Sequence, residues 1–236
     1  NIEKPLIVTS NGNYKRLQLR KLFSDEIIYS DIKPNPTITD CEKAIEFILE
    51  RRIDGMVAIG SGSVLDTAKI ILLAYSSGIT SIRKLLSMSR QEKNDIIPNI
   101  FIPTTHGSGS EVTMWATVWN KKEKKKYSIS NPALYPNYAI LDGSLTVTLP
   151  LNISYAVTLD ALSHSFEAIW NKNSNDKSRE YAINAISIIL KNIRKLNADS
   201  VKDIALRKKL LFASNLAGQA FSNTKTAAAH SISYPL

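Results

Sequence analysis

Two side chains one turn apart on one predicted helix could bind the same cation. In the run 158–167, T-L-D-A-L-S-H-S-F-E, Asp160, His164 and Glu167 stand at i, i+4 and i+7 and so fall on one helix face. A carboxylate and an imidazole one turn apart can bind the same divalent ion. Such a pair is more often a surface hydrogen bond, so a third donor is needed. His230 lies in T-A-A-A-H-S-I-S-Y, a small and apolar stretch, where a histidine is either a buried, satisfied side chain or a ligand. The remaining histidine, His106, sits in the loop T-T-H-G-S-G and reads as near a cleft without being a ligand.

A second candidate is Gly60-Ser61-Gly62-Ser63, followed by Val64-Leu65-Asp66-Thr67-Ala68-Lys69. Small residues between a buried strand and a helix let backbone N–H groups approach a phosphate, and the helix start adds unpaired N–H groups and the positive end of its dipole. A tight turn without a ligand explains the same residues, because Ser63 and Asp66 have the spacing of a capping box. The loop is not the fingerprint of a first strand–helix turn, since two strand–helix units precede it.

The elements that must carry these residues follow from periodicity. Short apolar runs at 6–9, 26–29, 55–59 and 99–102 read as strands, the third as a buried one. Residues 39–52 are amphipathic, with Ala44, Ile45, Ile48 and Leu49 on one face, and 64–75 is a further helix. Alternating strands and helices imply a parallel sheet covered on both faces. Beyond Pro150 the runs 158–170, 178–196 and 200–221 carry helical periodicity alone, with Leu159, Leu162, Phe166 and Ile169 as the apolar stripe of the first. The reading is an α/β dinucleotide-binding domain over 1–150 and the start of an all-helical metal-binding domain over 151–236.

Composition narrows the alternatives. The chain has 236 residues, 44% of them hydrophobic, enough for a sizeable core. It contains no apolar run of membrane-spanning length, and its first residues do not resemble a signal peptide. The single cysteine, Cys41, can form no internal disulfide, and a reducing cytoplasm is the expected compartment. The net charge of +9 favours anionic partners. The densest basic cluster, K-K-E-K-K-K over 121–126, reads as a solvated hairpin or loop. With no recognised reading module and no basic face interleaved with aromatics, no nucleic-acid partner is expected.

Taken together, these segments resemble the iron-containing alcohol dehydrogenase family. Its G-G-G-S-x-x-D-x-A-K motif matches at Gly60, Gly62, Ser63, Asp66, Ala68 and Lys69 and departs at Ser61. P-T-T-x-G-x-G-S-E-x-T matches at Pro103, Thr104, Thr105, Gly107, Gly109, Ser110, Glu111 and Thr113; D-A-L-x-H-x-x-E matches from Asp160 to Glu167, and P-N-P-T is present at 34–37. The resemblance implies three metal ligands, Asp160, His164 and His230, for Fe2+ or Zn2+. It implies NAD(P)H on Gly60, Ser61, Gly62, Ser63 and Asp66, with Thr104, Thr105, Ser108 and Lys126 beside it and Asn35 near its adenosine end. Many relatives carry an Asp on the adenine ribose where this chain has Ser10, which makes NADP permissible. Relatives also run on past this chain's last residue to a fourth ligand, another histidine, so the 236 residues are expected to be part of a longer chain. A homodimer is the expected assembly. The implied activity is metal-dependent alcohol dehydrogenase or aldehyde reductase; a dehydroquinate-synthase-like lyase and a non-enzymatic nucleotide-binding module are the alternatives. The stretches 115–119, 126–128 and 225–236, the last with Tyr234 where many relatives have histidine, resemble most the phosphonoacetaldehyde reductase branch. Lys225 and Thr226 are then candidates for holding a small anionic aldehyde.

Overall fold

The structure, a computed structural model, describes residues 2–24, 27–87 and 95–233. Glu26 of the second predicted strand and Tyr234 lie outside them. The described chain forms two compact units: residues up to Ile102 with Met114–Ala139, and Pro103–Thr113 with Ile140 onward. The sequence draws a single division at 150; in the structure, 103–113 and 140–150 count with the helices. Glycines explain why. A Cβ on Gly107 would stand 2.8 Å from the Val157 carbonyl, and one on Gly143 would stand 2.7 Å from the Lys208 backbone nitrogen, so both loops lie directly on helix backbone.

In the first unit, β1 (Pro5–Thr9), a short α1 (Asn11–Arg16), β2 (Ile28–Tyr29), α2 (Ile38–Leu49), β3 (Gly55–Gly60), α3 (Gly62–Ser77), α4 (Ile82–Ser87) and β4 (Asn99–Pro103) follow the predicted alternation. A hairpin of β5 (Trp115–Asn120) and β6 (Lys125–Ser130) comes next, then β7 (Tyr138–Ala139). The main sheet has the order β2-β1-β3-β4-β7, and β1 pairs in parallel with both β2 and β3. α2 starts at a capping box, where Thr37 accepts from the Asp40 backbone and Asp40 reaches back to the Thr37 N–H. Its buried stripe is Cys41, Ala44, Ile45 and Ile48; Leu49, expected on that face, is exposed. α3 is buried without interruption from Thr67 to Ala74, as a helix enclosed on several sides must be. Of the lysine cluster, residues 121–124 form the turn of the antiparallel β5–β6 hairpin, and Lys125 and Lys126 begin β6.

The second unit is built on α5 (Leu151–Trp170), α6 (Asp176–Asn192), α7 (Ile204–Thr224) and the short α8 (Ala228–Ser233). Asn175 caps α6 and Asp203 caps α7. The apolar stripe expected on α5 is buried only in part: Leu162 and Ile169 are half-buried and pack against the hydrophobic core of the unit. Leu159 and Phe166 are exposed, and the buried positions are Ser154, Thr158, Ala161, Ser165 and Ala168, with His164 and Glu167 beside them. Small residues let α6 and α7 pack close, and the hydroxyls are satisfied within the helix: Thr158 Oγ1 donates to the Ser154 carbonyl and Ser165 Oγ to the Ala161 carbonyl. The loop carrying Gly109 packs on α7 in the same manner. Gly109 has φ +57°, and a Cβ there would lie 2.5 Å from the Cα of Gly218. Below it, Arg207 is wholly buried with neutral acceptors: the Val201 carbonyl at 2.8 Å, Ser154 Oγ at 2.5 Å and the Leu149 carbonyl at 3.0 Å.

His106 shares this interior. It is fully buried, not at a cleft, and neither ring nitrogen finds a hydrogen-bond partner of good geometry among the described residues. Burial first, and then the Arg207 charge, push its pKa down to about 4, against a weaker opposing contact with the Ser154 backbone. The folded chain therefore keeps the ring neutral where the unfolded chain protonates it. The resulting stability is present above the ordinary histidine range and is lost as pH falls from about 6.5 towards 4. Replacing His106 by Leu is expected to flatten this acid dependence by an amount on the order of 3 kcal/mol. Denaturant titrations of both chains at stepped pH check it, and parallel pH profiles would refute it.

Candidate functional site

The first unit has a topological switch point between β1 and β3. From β1 the chain moves outward to β2, then crosses back to β3 on the other side of β1. Loops leaving the carboxyl ends of β1 and β3 diverge there, which is where open parallel sheets take ligands. Those two strand ends are tied together: Thr9 Oγ1 and Asn13 Nδ2 both donate to the Ile59 carbonyl, at 2.8 and 3.3 Å. Ser10 accepts from the Asn13 N–H at 3.3 Å and caps α1.

The glycine loop runs from β3 into α3 with Ser61 as N-cap, so a capping box between Ser63 and Asp66 is out of register. The Ser61 side chain makes no capping bond. Ser63 Oγ instead accepts from the backbone of Asn35 at 3.2 Å, which brings Asn35 to the glycine loop as the sequence motifs imply. Gly60 is required by packing, since a Cβ there would meet the Val64 side chain at 2.4 Å. The motif's remaining members point elsewhere. Asp66 Oδ2 accepts from the Thr117 N–H at 2.9 Å, and the buried Lys69 donates to the Trp115 carbonyl at 2.9 Å. Both hold β5 against α3. Lys126 pairs across the hairpin with Trp119, its ammonium 5.9 Å from the ring centroid.

The second unit carries the donor cluster. One ligand atom each from Asp160, His164 and His230 lies within 4.8 Å of the others. His230 Nε2 is 3.3 Å from Asp160 Oδ1; two ligands, each about 2.1 Å from a tetrahedral ion, would be separated by roughly that distance. His164 Nδ1 is buried and has no hydrogen-bond partner among the described residues. An orphaned ring nitrogen beside a carboxylate and a second imidazole fits a divalent cation of borderline softness. The rings are held by stacking: His164 lies 4.3 Å from Phe221 and 4.2 Å from His230, centroid to centroid, the histidines within 8° of parallel. Burial holds the His164 pKa down despite Asp160 and Glu167. For His230 burial is outweighed by Asp160 and Glu167, and its pKa is raised.

Glu167 is the residue whose role the spacing left unassigned. It is fully buried, and it accepts from the Ala227 N–H at 2.5 Å and the His230 N–H at 2.9 Å. Its Oε2 stands 2.9 Å from His230 Nδ1. Burial raises its pKa, but these two N–H groups and the imidazole lower it further. Lys225 and Thr226 lie in the link between α7 and α8, with Lys225 exposed. In the loop 103–113, Thr104 is buried, Thr105 and Ser108 are half-buried, and Ser108 Oγ accepts from the Ser110 N–H at 3.3 Å. Glu111 of the same loop accepts from Asn215 at 3.0 Å in the interior of the helical unit.

Residues 1–143 match the family described as iron-containing alcohol dehydrogenase, and residues 155–236 match the C-terminal region of the same family. Among curated relatives, a long-chain-alcohol dehydrogenase of Geobacillus thermodenitrificans is 34% identical over 89% of this chain and 52% of its own length. Among solved structures, an iron-containing alcohol dehydrogenase superposes with TM-score 0.85 at 30% identity over 99% of this chain and 65% of the other. A sulfoacetaldehyde reductase from Bifidobacterium kashiwanohense, solved with NAD+, gives TM-score 0.87 at 28% identity over 100% of this chain and 63% of the other. The chain thus spans about half the length of the Geobacillus relative and under two thirds of these solved chains.

The bond from Thr117 to Asp66 gives a stability prediction separate from any ligand. Asp66→Ala leaves a half-buried N–H on β5 without its charged acceptor and is expected to cost about 1–3 kcal/mol. Urea unfolding measures it; a midpoint equal to that of the parent would show that the hairpin is held without this bond.

Proposed function

The chain belongs to the iron-containing alcohol dehydrogenase family, and from that premise we propose that it carries cofactor and metal sites of a nicotinamide-dependent alcohol dehydrogenase or aldehyde reductase. The observation that carries this reading is the convergence of Asp160, His164 and His230 around an orphaned buried ring nitrogen. Fe2+ or Zn2+ held by these side chains would supply Lewis-acid polarisation of a carbonyl or alcohol oxygen. Gly60, Ser61, Gly62 and Ser63 would cradle a pyrophosphate before the start of α3, with Asn35 towards the adenosine. Lys126, in the same unit, would contact the same dinucleotide. Asp66, by contrast, supports the site through β5. Ser10 spends its hydroxyl on a helix cap and brings no carboxylate to repel a 2′-phosphate, so NADPH and NADH both suit this position. The hydride chemistry belongs to the nicotinamide, and the protein's part is alignment.

The proposed substrate is a small anionic aldehyde, phosphonoacetaldehyde, reduced to 2-hydroxyethylphosphonate. The similarity of residues 225–236 to that branch supports it, as does a solved relative named as a sulfoacetaldehyde reductase, whose named aldehyde also carries a tetrahedral anion. The backbone adds a physical argument. Lys225 has φ +67° and ψ 172°, a region that is home almost only to glycine. Its carbonyl is fixed by Asn171 Nδ2 and Thr224 Oγ1, and its N–H by the Phe221 carbonyl. A lysine kept there at a strain of about 1–3 kcal/mol supplies something glycine cannot: an ammonium, next to the segment that carries His230.

Two measurements test these readings. In protein reconstituted with iron or zinc, His164→Ala is expected to lose the bound metal; elemental analysis equal to the parent would make His164 a structural residue. Lys225→Gly is expected to raise the melting temperature by relieving the backbone. It should also lower kcat/KM for phosphonoacetaldehyde about tenfold or more, the worth of one charge-assisted hydrogen bond, and leave that for propanal unchanged. NAD(P)H oxidation rates decide this, and an equal loss for both aldehydes would exclude an anion contact.

A further inference from the structure

Glu167 makes contacts that a simple structural role does not require. A six-residue helix such as α8 is ordinarily started by a local Ser, Thr, Asp or Asn at its N-cap. Here the N–H groups of Ala227 and His230 are taken up by a carboxylate on α5, some sixty residues away in the chain and wholly buried. Withdrawing a carboxylate from water is costly, and two backbone bonds could have been made by a neighbour without that cost. What a carboxylate at this place adds is its third contact. Oε2 stands at ion-pair distance from His230 Nδ1, 2.9 Å, in an alignment that falls short of a hydrogen bond and that a small turn of the ring would correct, while Nε2 of the same ring faces Asp160 Oδ1 at 3.3 Å.

An imidazole between two acids has two neutral forms. With the proton on Nε2 it hydrogen-bonds Asp160, and the ring offers that carboxylate no lone pair to share a cation. With the proton on Nδ1, the side of the ring next to Glu167, the Nε2 lone pair faces Asp160, an arrangement made favourable by a cation between them. Outer carboxylates commonly fix ligand histidines by this means. We propose that Glu167 is a positioning residue: it accepts the Nδ1 proton of His230 and so commits Nε2, together with Asp160 and His164, to a divalent ion. The inference rests on the metal reading above.

The experiment uses the 236-residue chain in two states. In the metal-free chain at alkaline pH, where the ring is neutral, 15N spectra of labelled histidine are expected to show His230 protonated at Nδ1. Glu167→Gln, whose amide can donate to Nδ1, is expected to move the proton to Nε2 and to weaken Co2+ binding, followed by its visible absorption, about 10- to 100-fold. Ala227→Pro removes one N–H that Glu167 accepts and spares the carboxylate–imidazole contact; Co2+ affinity and tautomer are expected to stay close to the parent. Equal losses of Co2+ affinity in the two variants would reduce Glu167 to a helix cap. An Nε2-protonated His230 in a parent chain that binds Co2+ would overturn the role assigned to Glu167 alone. A parent chain that takes up no Co2+ even at millimolar metal, where three donors suffice for weak binding, would overturn the metal reading itself.

Discussion

Glu167 buries a carboxylate inside the helical unit and meets the cost by drawing two backbone N–H groups and an imidazole onto it. That bond set fixes more than one helix start. It holds the segment 227–230 against α5 one turn beyond His164, which places His230 flat on His164, and His164 on Phe221. The three donors of the cluster come from two helices far apart in sequence, and α5 supplies both Asp160 and His164 from one face. Without a bond from α5 to 227–230 the third donor would have only ring stacking to hold it. Close packing of the unit depends on the same helix. Its buried face is small and hydroxyl-bearing, so α7 can approach and carry Phe221 into the stack.

The first unit shows how one motif divides into two jobs. Gly60 and the start of α3 shape a loop at the point where the sheet's crossovers diverge. Asp66 and Lys69, one turn and two turns further into α3, are turned to the hairpin and grip the backbone at Thr117 and Trp115. A ligand-facing reading of every motif residue would miss that the helix must be fixed sideways before its N-terminus can be presented. The loop 103–113 repeats the pattern: its glycines serve close packing on α5 and α7, and Glu111 bonds Asn215 in the interior.

Much of the architecture was legible because local physics carried it. The alternation of strands and helices, the helices of the second half and the i, i+4, i+7 face of α5 are periodicities that any packing must respect. The reading failed where burial is decided by a partner. On α5 Leu159 and Phe166 look like the core and lie outside, because the closest helix contacts are made by small side chains. Ser63 and Asp66 have capping-box spacing, yet the helix begins two residues earlier than that box requires. His106 reads as a cleft residue because it sits in a motif loop, and it is buried because that loop folds onto helices.

The sequence by itself determined which residues could do chemistry: a carboxylate and imidazole one turn apart, a glycine loop between strand and helix, and a histidine in a small apolar stretch. Those are properties of residue type and spacing. Only the tertiary structure decided that His230 joins Asp160 and His164, that Asn35 meets Ser63, and that Asp66 faces a hairpin in place of a cap. The physical reason is that each of these is a contact between segments distant in the chain. Its geometry is set by how closely backbones can approach and by where buried polar groups find partners, and neither quantity is written in local periodicity.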